Sequence, residues 1–215
     1  MKKYIFTLIK GIFAGICIGV GGWLFITSKN SGASQVLSAF MFSIGLILIC
    51  NFKFFLYTGK ICYLGNEIKN KNGLNYSLQL LIGLVGNYIG AVLVGFVISK
   101  TLHVPDFVYS MVTTKLAYDC WQLLILGAFC GMLIYFALEA FAKVENIFGK
   151  YVILMMCVAG FIVCGFEHCI ADMFYFSLGK VWSLDTLLRT MVISVANGIG
   201  GCLIPFAKKW NRSIV

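Results

Sequence analysis

A chain of 215 residues that is 60% hydrophobic and only 12% charged departs from a soluble domain, which is roughly 45–50% apolar and about 25% charged. With a mean hydropathy of +0.93, disorder, a coiled coil and an ordinary soluble enzyme are excluded, and a polytopic membrane protein remains. The net charge of +9 comes from 17 Lys+Arg against 8 Asp+Glu and flanks apolar segments, as membrane orientation requires, so no nucleic-acid partner is expected.

Met1-Lys2-Lys3 followed by an apolar run is similar to a signal peptide. Lys10 interrupts that run, however, and it continues to about residue 27. This is too long for a signal core, so it reads as a retained first span. Spans need about 20 apolar residues, and six are predicted at 4–27, 35–58, 77–99, 121–141, 151–176 and 187–206. The longest connection, about 100–118, is partly polar, and residues 1–215 read as a single transmembrane transport domain. An even number of spans puts both termini on one side. Lys2, Lys3, Lys69, Lys71, Lys143, Lys150, Lys208, Lys209 and Arg212 fall there, against Lys29, Lys100, Lys115, Lys180 and Arg189 opposite. Nine against five predicts a multi-pass protein of the cytoplasmic membrane with both termini cytoplasmic. The nine cysteines (17, 50, 62, 120, 130, 157, 164, 169 and 202) form no CxxC and no Cys/His cluster of metal spacing. They read as small packing residues, with no metal and no cofactor expected.

The chain also has internal similarity. Gly11-Ile12-Phe13-Ala14-Gly15 in the first span matches Gly127-Ala128-Phe129-Cys130-Gly131 in the fourth. Asn87-Tyr88-Ile89-Gly90-Ala91 in the third matches Asn197-Gly198-Ile199-Gly200-Gly201 in the sixth. Offsets of 116 and 110 residues align spans one to three (about 1–100) with spans four to six (about 115–210). Three spans is an odd number, so the second copy is inverted relative to the first. The partner spans two and five are the ones interrupted by charge, at Lys53 to Lys60 and at Glu167 to Asp172. The fold class predicted is an all-α membrane protein, six transmembrane helices in an inverted 3+3 repeat with helices two and five broken. Breaks at membrane depth survive only where the freed backbone is buried or lines a cavity.

Glu167, His168 and Asp172 follow sixteen uncharged residues. Ionisable groups in a membrane are costly and face a bundle interior or pore. Glu167 also reads as an anchor for the break through hydrogen bonds. A histidine between apolar walls suits a weak-acid substrate, because the protonated acid loses far less solvation energy than its anion.

Gly165-Phe166-Glu167-His168-Cys169-Ile170-Ala171-Asp172-Met173-Phe174 resembles the signature of the formate/nitrite transporter family, Gly-Phe-Glu-His-Ser-x-Ala-Asn-Met. Leu56-Tyr57-Thr58-Gly59 resembles its Leu-Phe-Thr-Gly loop, and the segments at Gly86 to Ala91 and Asn197 to Gly201 resemble its third- and sixth-helix motifs. The resemblance implies an aquaporin-like protomer in a homopentamer, with one pore per protomer for small monovalent anions such as formate, nitrite or hydrosulfide. It implies that His168 is the central pore histidine and Thr58 its partner from the opposite broken helix. Leu56 and Tyr57 would line the pore loop, and Phe42, Leu46 and Phe161 would form apolar constrictions. Asn197 would be the polar group below the histidine. Lys115 precedes Gly127 by twelve residues, as the family's vestibule lysine precedes its glycine, and would gather anions. With about three residues ahead of the apolar run, the cytoplasmic gating helix of some members is not expected.

Two departures add charge. The family's asparagines are Asp172 and Lys60 here, and these two are expected to pair across the pseudo-twofold, with Glu167 as further pore support. Phe55 stands where the family often has a glutamate, and Cys169 where it has serine. The reading is a channel or proton-coupled transporter for weak-acid anions in the lipid bilayer. The alternatives are a neutral-solute pore for water or ammonia and a non-transporting membrane scaffold. An enzyme is not expected: no nucleophile–base pair, metal spacing or nucleotide loop is present.

Overall fold

A computed structural model describes residues 2–212, with side chains through residue 207. Those of Lys208, Lys209 and Arg212, counted in the charge bias, lie outside the described residues. All regular structure among the described residues is helical: α1 (Lys2–Asn30), α2 (Gln35–Asn51), α3 (Tyr57–Lys60), a 3₁₀ turn (Ile61–Tyr63), α4 (Leu64–Lys69), α5 (Gly73–Thr101), α6 (Asp106–Ala117), α7 (Cys120–Lys143), α8 (Ile147–Val163), α9 (Cys169–Leu178) and α10 (Leu184–Arg212).

Four of these, α1, α5, α7 and the Leu184–Ala207 part of α10, are long and apolar enough to cross a membrane. They coincide with the first, third, fourth and sixth predicted spans. At 1.5 Å per residue, α2 and α8, with 17 residues each, reach about 25 Å and fall short of a roughly 30 Å hydrocarbon core. The runs 35–58 and 151–176 are therefore each divided, into α2 with α3 and α8 with α9. The connection read as partly polar contains α6, which starts directly after Pro105, a residue whose fixed φ suits a helix start. The outer surface is apolar, with Phe6, Leu81, Phe96, Trp121 and Phe129 all exposed, as a lipid-facing exterior requires.

The helices pack in matching sets. α1 lies on α5 and α2, α7 lies on α10 and α8, and α2 meets α8 at the centre. Small residues let the backbones touch. A Cβ at Gly15 would collide with the Asn87 carbonyl, and one at Gly131 with the Asn197 carbonyl. Gly131→Ala is expected to cost about 1–3 kcal/mol through overpacking against rigid backbone. Gly160→Ala, whose Cβ would meet only the Leu133 side chain at 3.9 Å, is expected to be neutral or stabilising, because alanine is the better helix former. Melting temperatures of the detergent-solubilised variants check the contrast.

Candidate functional site

α2 and α8 end in the same way. Phe52, Lys53 and Phe54 donate their N–H groups to the carbonyls of Leu48, Cys50 and Ile49 at 2.9, 3.4 and 3.0 Å. Cys164, Gly165 and Phe166 donate to Gly160, Ile162 and Phe161 at 3.0, 3.1 and 2.9 Å. This pattern closes a helix through one left-handed residue, here Lys53 at φ +54° and Gly165 at φ +69°. Each chain then runs extended before α3 or α9 begins.

An asparagine from a long helix holds each extended stretch. Asn87 Oδ1 accepts from Tyr57 N at 2.9 Å, and its Nδ2 donates to Gly11 O at 2.9 Å and Phe55 O at 2.8 Å. Asn197 Oδ1 accepts from Cys169 N at 3.0 Å, and its Nδ2 donates to Gly127 O and Glu167 O, both at 2.8 Å. Both amides are fully buried, so they supply the partners that water would give these extended backbone groups elsewhere. A phenylalanine stack backs each stretch: Phe13 on Phe54 and Phe129 on Phe166, with centroids 5.3 Å apart in both.

The two interrupted stretches meet at His168. Its Nε2 lies 3.0 Å from Thr58 Oγ1 on α3, and its Nδ1 accepts from Ala171 N at 3.2 Å. A backbone N–H can only donate, so Nδ1 is unprotonated and the neutral ring carries its proton on Nε2. Nε2–H thus donates to Thr58. The ring stacks on Phe161 with centroids 5.6 Å apart, and Phe161 meets Phe42 edge-on at 5.9 Å. All three line a cavity of about 240 Å³, together with Phe25, Lys29, Lys115, Glu167 and Asp172.

Lys115 of α6 carries the electrostatics of this cavity. Its Nζ donates to both Glu167 oxygens, at 2.8 and 2.9 Å, and lies 2.8 Å from Asp172 Oδ1. It also lies 5.7 Å from the Tyr175 ring centroid. Burial alone would lower the Lys115 pKa, but Asp172 and then Glu167 outweigh it and hold the ammonium charged. Asp172 is wholly buried and its Oδ2 has no hydrogen-bond partner among the described residues. One ammonium therefore faces two carboxylates.

The predicted residues divide on this geometry. Thr58, His168, Phe42 and Phe161 lie together, and Glu167, Asp172 and Lys115 join them. Leu56 is buried and lines a separate cavity of about 180 Å³ with Lys53 and Lys60. Leu46 is buried in the apolar core. Tyr57 turns toward α10, donating to Ser194 O at 3.3 Å. Asn197 has both amide hydrogens committed to backbone carbonyls, so it braces the break instead of facing a solute. The expected Lys60–Asp172 pair does not form. Asp172 pairs with Lys115, while Lys60 lines the chamber that also holds Lys10 and Lys53. The sequence alone assigns no site role to Asn87, Tyr175 or Lys10. For Asn87 the signal was present, in its match to Asn197.

A family model described as "Formate/nitrite transporter" matches residues 2–210. The chain belongs to this family. Among its relatives, the formate-nitrite transporter of Plasmodium malariae is 24% identical over 204 residues, covering 83% of this chain and 64% of that protein. The formate channel FocA of Haemophilus influenzae is 21% identical over 194 residues, covering 84% of this chain and 68% of that one. The chain thus spans just under two thirds of the Plasmodium malariae relative. A solved structure described as a pentameric formate channel with formate bound superposes with a TM-score of 0.81 at 20% identity, covering 100% of this chain and 99% of that one. That likeness shows the fold. Family membership makes the chain a multi-pass membrane protein of a transporter family, and these relatives are named as transporters and channels, not enzymes.

Proposed function

We propose that the chain conducts small monovalent weak-acid anions of the formate, nitrite or hydrosulfide class across the cytoplasmic membrane. In this reading it is a homopentamer with one pore per protomer and cytoplasmic termini. Each protomer is a single domain of six spans, two inverted halves of about 1–100 and 115–210, with the second and fifth spans broken. The charge bias of the connections supports the orientation. The repeated asparagine braces and helix ends support the two halves.

One observation carries the function: an imidazole donor bonded to Thr58 at 3.0 Å, its ring stacked on Phe161, which meets Phe42 edge-on. An anion reaching Phe42 and Phe161 would lose its water there. His168 Nε2–H turns from Thr58 Oγ1 to the substrate oxygen and replaces one of the lost bonds. A proton that the anion takes up from bulk water as it enters, His168 keeping its own, lowers the remaining desolvation cost. His168→Phe is expected to abolish proton-linked formate uptake in proteoliposomes while the pentamer, followed by size-exclusion chromatography, stays intact. Unchanged uptake would remove the histidine from the mechanism.

The neutral-solute reading keeps one observation in its favour. Lys115 is neutralised by two carboxylates, so the chamber beside His168 attracts anions less than a free lysine would. Swelling assays comparing ammonia and urea with formate, nitrite and hydrosulfide separate the two readings.

A further inference from the structure

The opposite chamber holds charge that this mechanism leaves unused. A cavity of about 630 Å³ is lined by Lys10, Lys53, Lys60, Tyr63, Glu67 and Tyr76 among others. None of the three lysines forms an ion pair among the described residues. Glu67, the one acidic group lining it, is engaged by Asn72 Nδ2 at 2.6 Å. The lysines stand on fixed backbone. Phe55 N donates to Lys10 O at 3.2 Å, and Tyr76 Oη donates to Lys60 O at 2.8 Å. The two chambers thus differ in charge: three lysines and one glutamate line this one, whereas two lysines and two carboxylates line the other.

The contrast is strongest at matching positions. Lys60 and Asp172 are 112 residues apart, the same offset as Lys53 and Gly165. Lys53 and Gly165 close their helices in the left-handed region, which glycine enters freely and lysine at a cost. The chain keeps a cation where its own second copy shows the relaxed residue. Three unpaired ammonium groups around one chamber repel one another, and a bound anion relieves that repulsion. Low-dielectric walls from Phe54 and Phe55 focus the field.

We infer that Lys10, Lys53 and Lys60 form an anion-holding site at the mouth on the side of the chain termini. It takes small monovalent carboxylates and oxyanions, and it makes the pore handle them unequally from its two ends. The inference rests on the transport reading for its substrate class, but its binding test does not depend on flux.

Formate flux is measured in right-side-out and inverted membrane vesicles from expressing cells. The wild type is expected to half-saturate at lower formate from the termini side. Lys60→Asn is expected to raise that concentration about fivefold, the effect of removing one nearby charge, and to bring the two sides closer together. Flux that persists with the two concentrations unchanged in Lys60→Asn overturns the site. Separately, sodium formate is compared with sodium gluconate at equal ionic strength for its effect on the melting temperature of the protein in detergent, where no lipid headgroup competes. The formate shift is expected to fall by at least half in Lys53→Gly, which keeps the backbone conformation and itself melts higher than wild type. Equal shifts in wild type and Lys53→Gly, zero included, overturn the site. Absent flux with a lysine-dependent shift retains the site and sinks the transport reading instead.

Discussion

Lys115→Met is expected to leave almost no folded protein. The substitution removes the ammonium that lies within 2.9 Å of oxygens on both Glu167 and Asp172. Those carboxylates are nearly inaccessible to solvent, so they cannot recover the lost interaction from water. Stripping one partner from a buried ionic group costs about 3–5 kcal/mol, and here two carboxylates are stranded beside each other. Neutralising the cluster completely is expected to reverse the loss. A Lys115→Met chain that also carries Glu167→Gln and Asp172→Asn keeps the shapes and removes every stranded charge. Size-exclusion profiles and melting curves in detergent give the readout: aggregation for the single variant, a monodisperse protein for the triple. A single variant with wild-type melting would show that the lysine does not compensate these acids. An ordinary loop lysine, or one that serves only to attract anions, predicts no such rescue.

The contacts of that cluster are not written in any local stretch of the sequence. Lys115 stands out by its spacing to Gly127, and Asp172 by its departure from the family signature, but nothing local says that they touch. They belong to different elements and stand 57 residues apart. Lys60 and Asp172 suggest a pair because they carry opposite charges at repeat-related positions. In the proposed inverted arrangement such positions flank opposite ends of the pore, so the symmetry that suggested the pair also separates it. The four long helices were legible because their apolar runs exceed a membrane's thickness. The interruption of the runs 35–58 and 151–176 is legible from the charges at Lys53 to Lys60 and at Glu167 to Asp172, but the residues at which α2 and α8 stop, Asn51 and Val163, are not. Gly165 signals a stop on its own, whereas Lys53 in the left-handed region does not. What holds the extended stretch beyond each end is an asparagine from another helix, a long-range hydrogen bond that hydropathy does not register. The meeting of His168 and Thr58 was readable only through the family motif, since the two residues are 110 apart in sequence.

Asn197→Leu is expected to do more damage to transport than to assembly of the helices. Leucine is close to asparagine in shape and suits an apolar interior, so α10 should still pack on α7. What disappears is the set of three bonds to Cys169 N, Glu167 O and Gly127 O. The first two are the backbone groups on either side of His168. Left unpaired in a dry interior, each costs about 1–3 kcal/mol, and the chain escapes that cost most cheaply by moving the extended stretch or admitting water. Either response displaces the ring from its 3.0 Å approach to Thr58 and loosens its stack on Phe161. Formate flux in proteoliposomes is expected to fall at least tenfold, which corresponds to about 1.4 kcal/mol of lost positioning. Asn197→Asp tests the logic from the other side. It retains the acceptor for Cys169 N but has no amide hydrogens for the two carbonyls, and it adds a negative charge beside the constriction. It is expected to be worse than leucine for anion flux, because repulsion of the substrate adds to the lost brace. Asn87→Leu, at the matching brace, removes the bonds to Tyr57 N and Phe55 O and acts on Thr58 from the other stretch. A smaller loss is expected there, since α3 carries the hydrogen-bond partner of the imidazole and not the imidazole itself. Equal flux in all three variants and the wild type would mean that the breaks hold their shape without these amides.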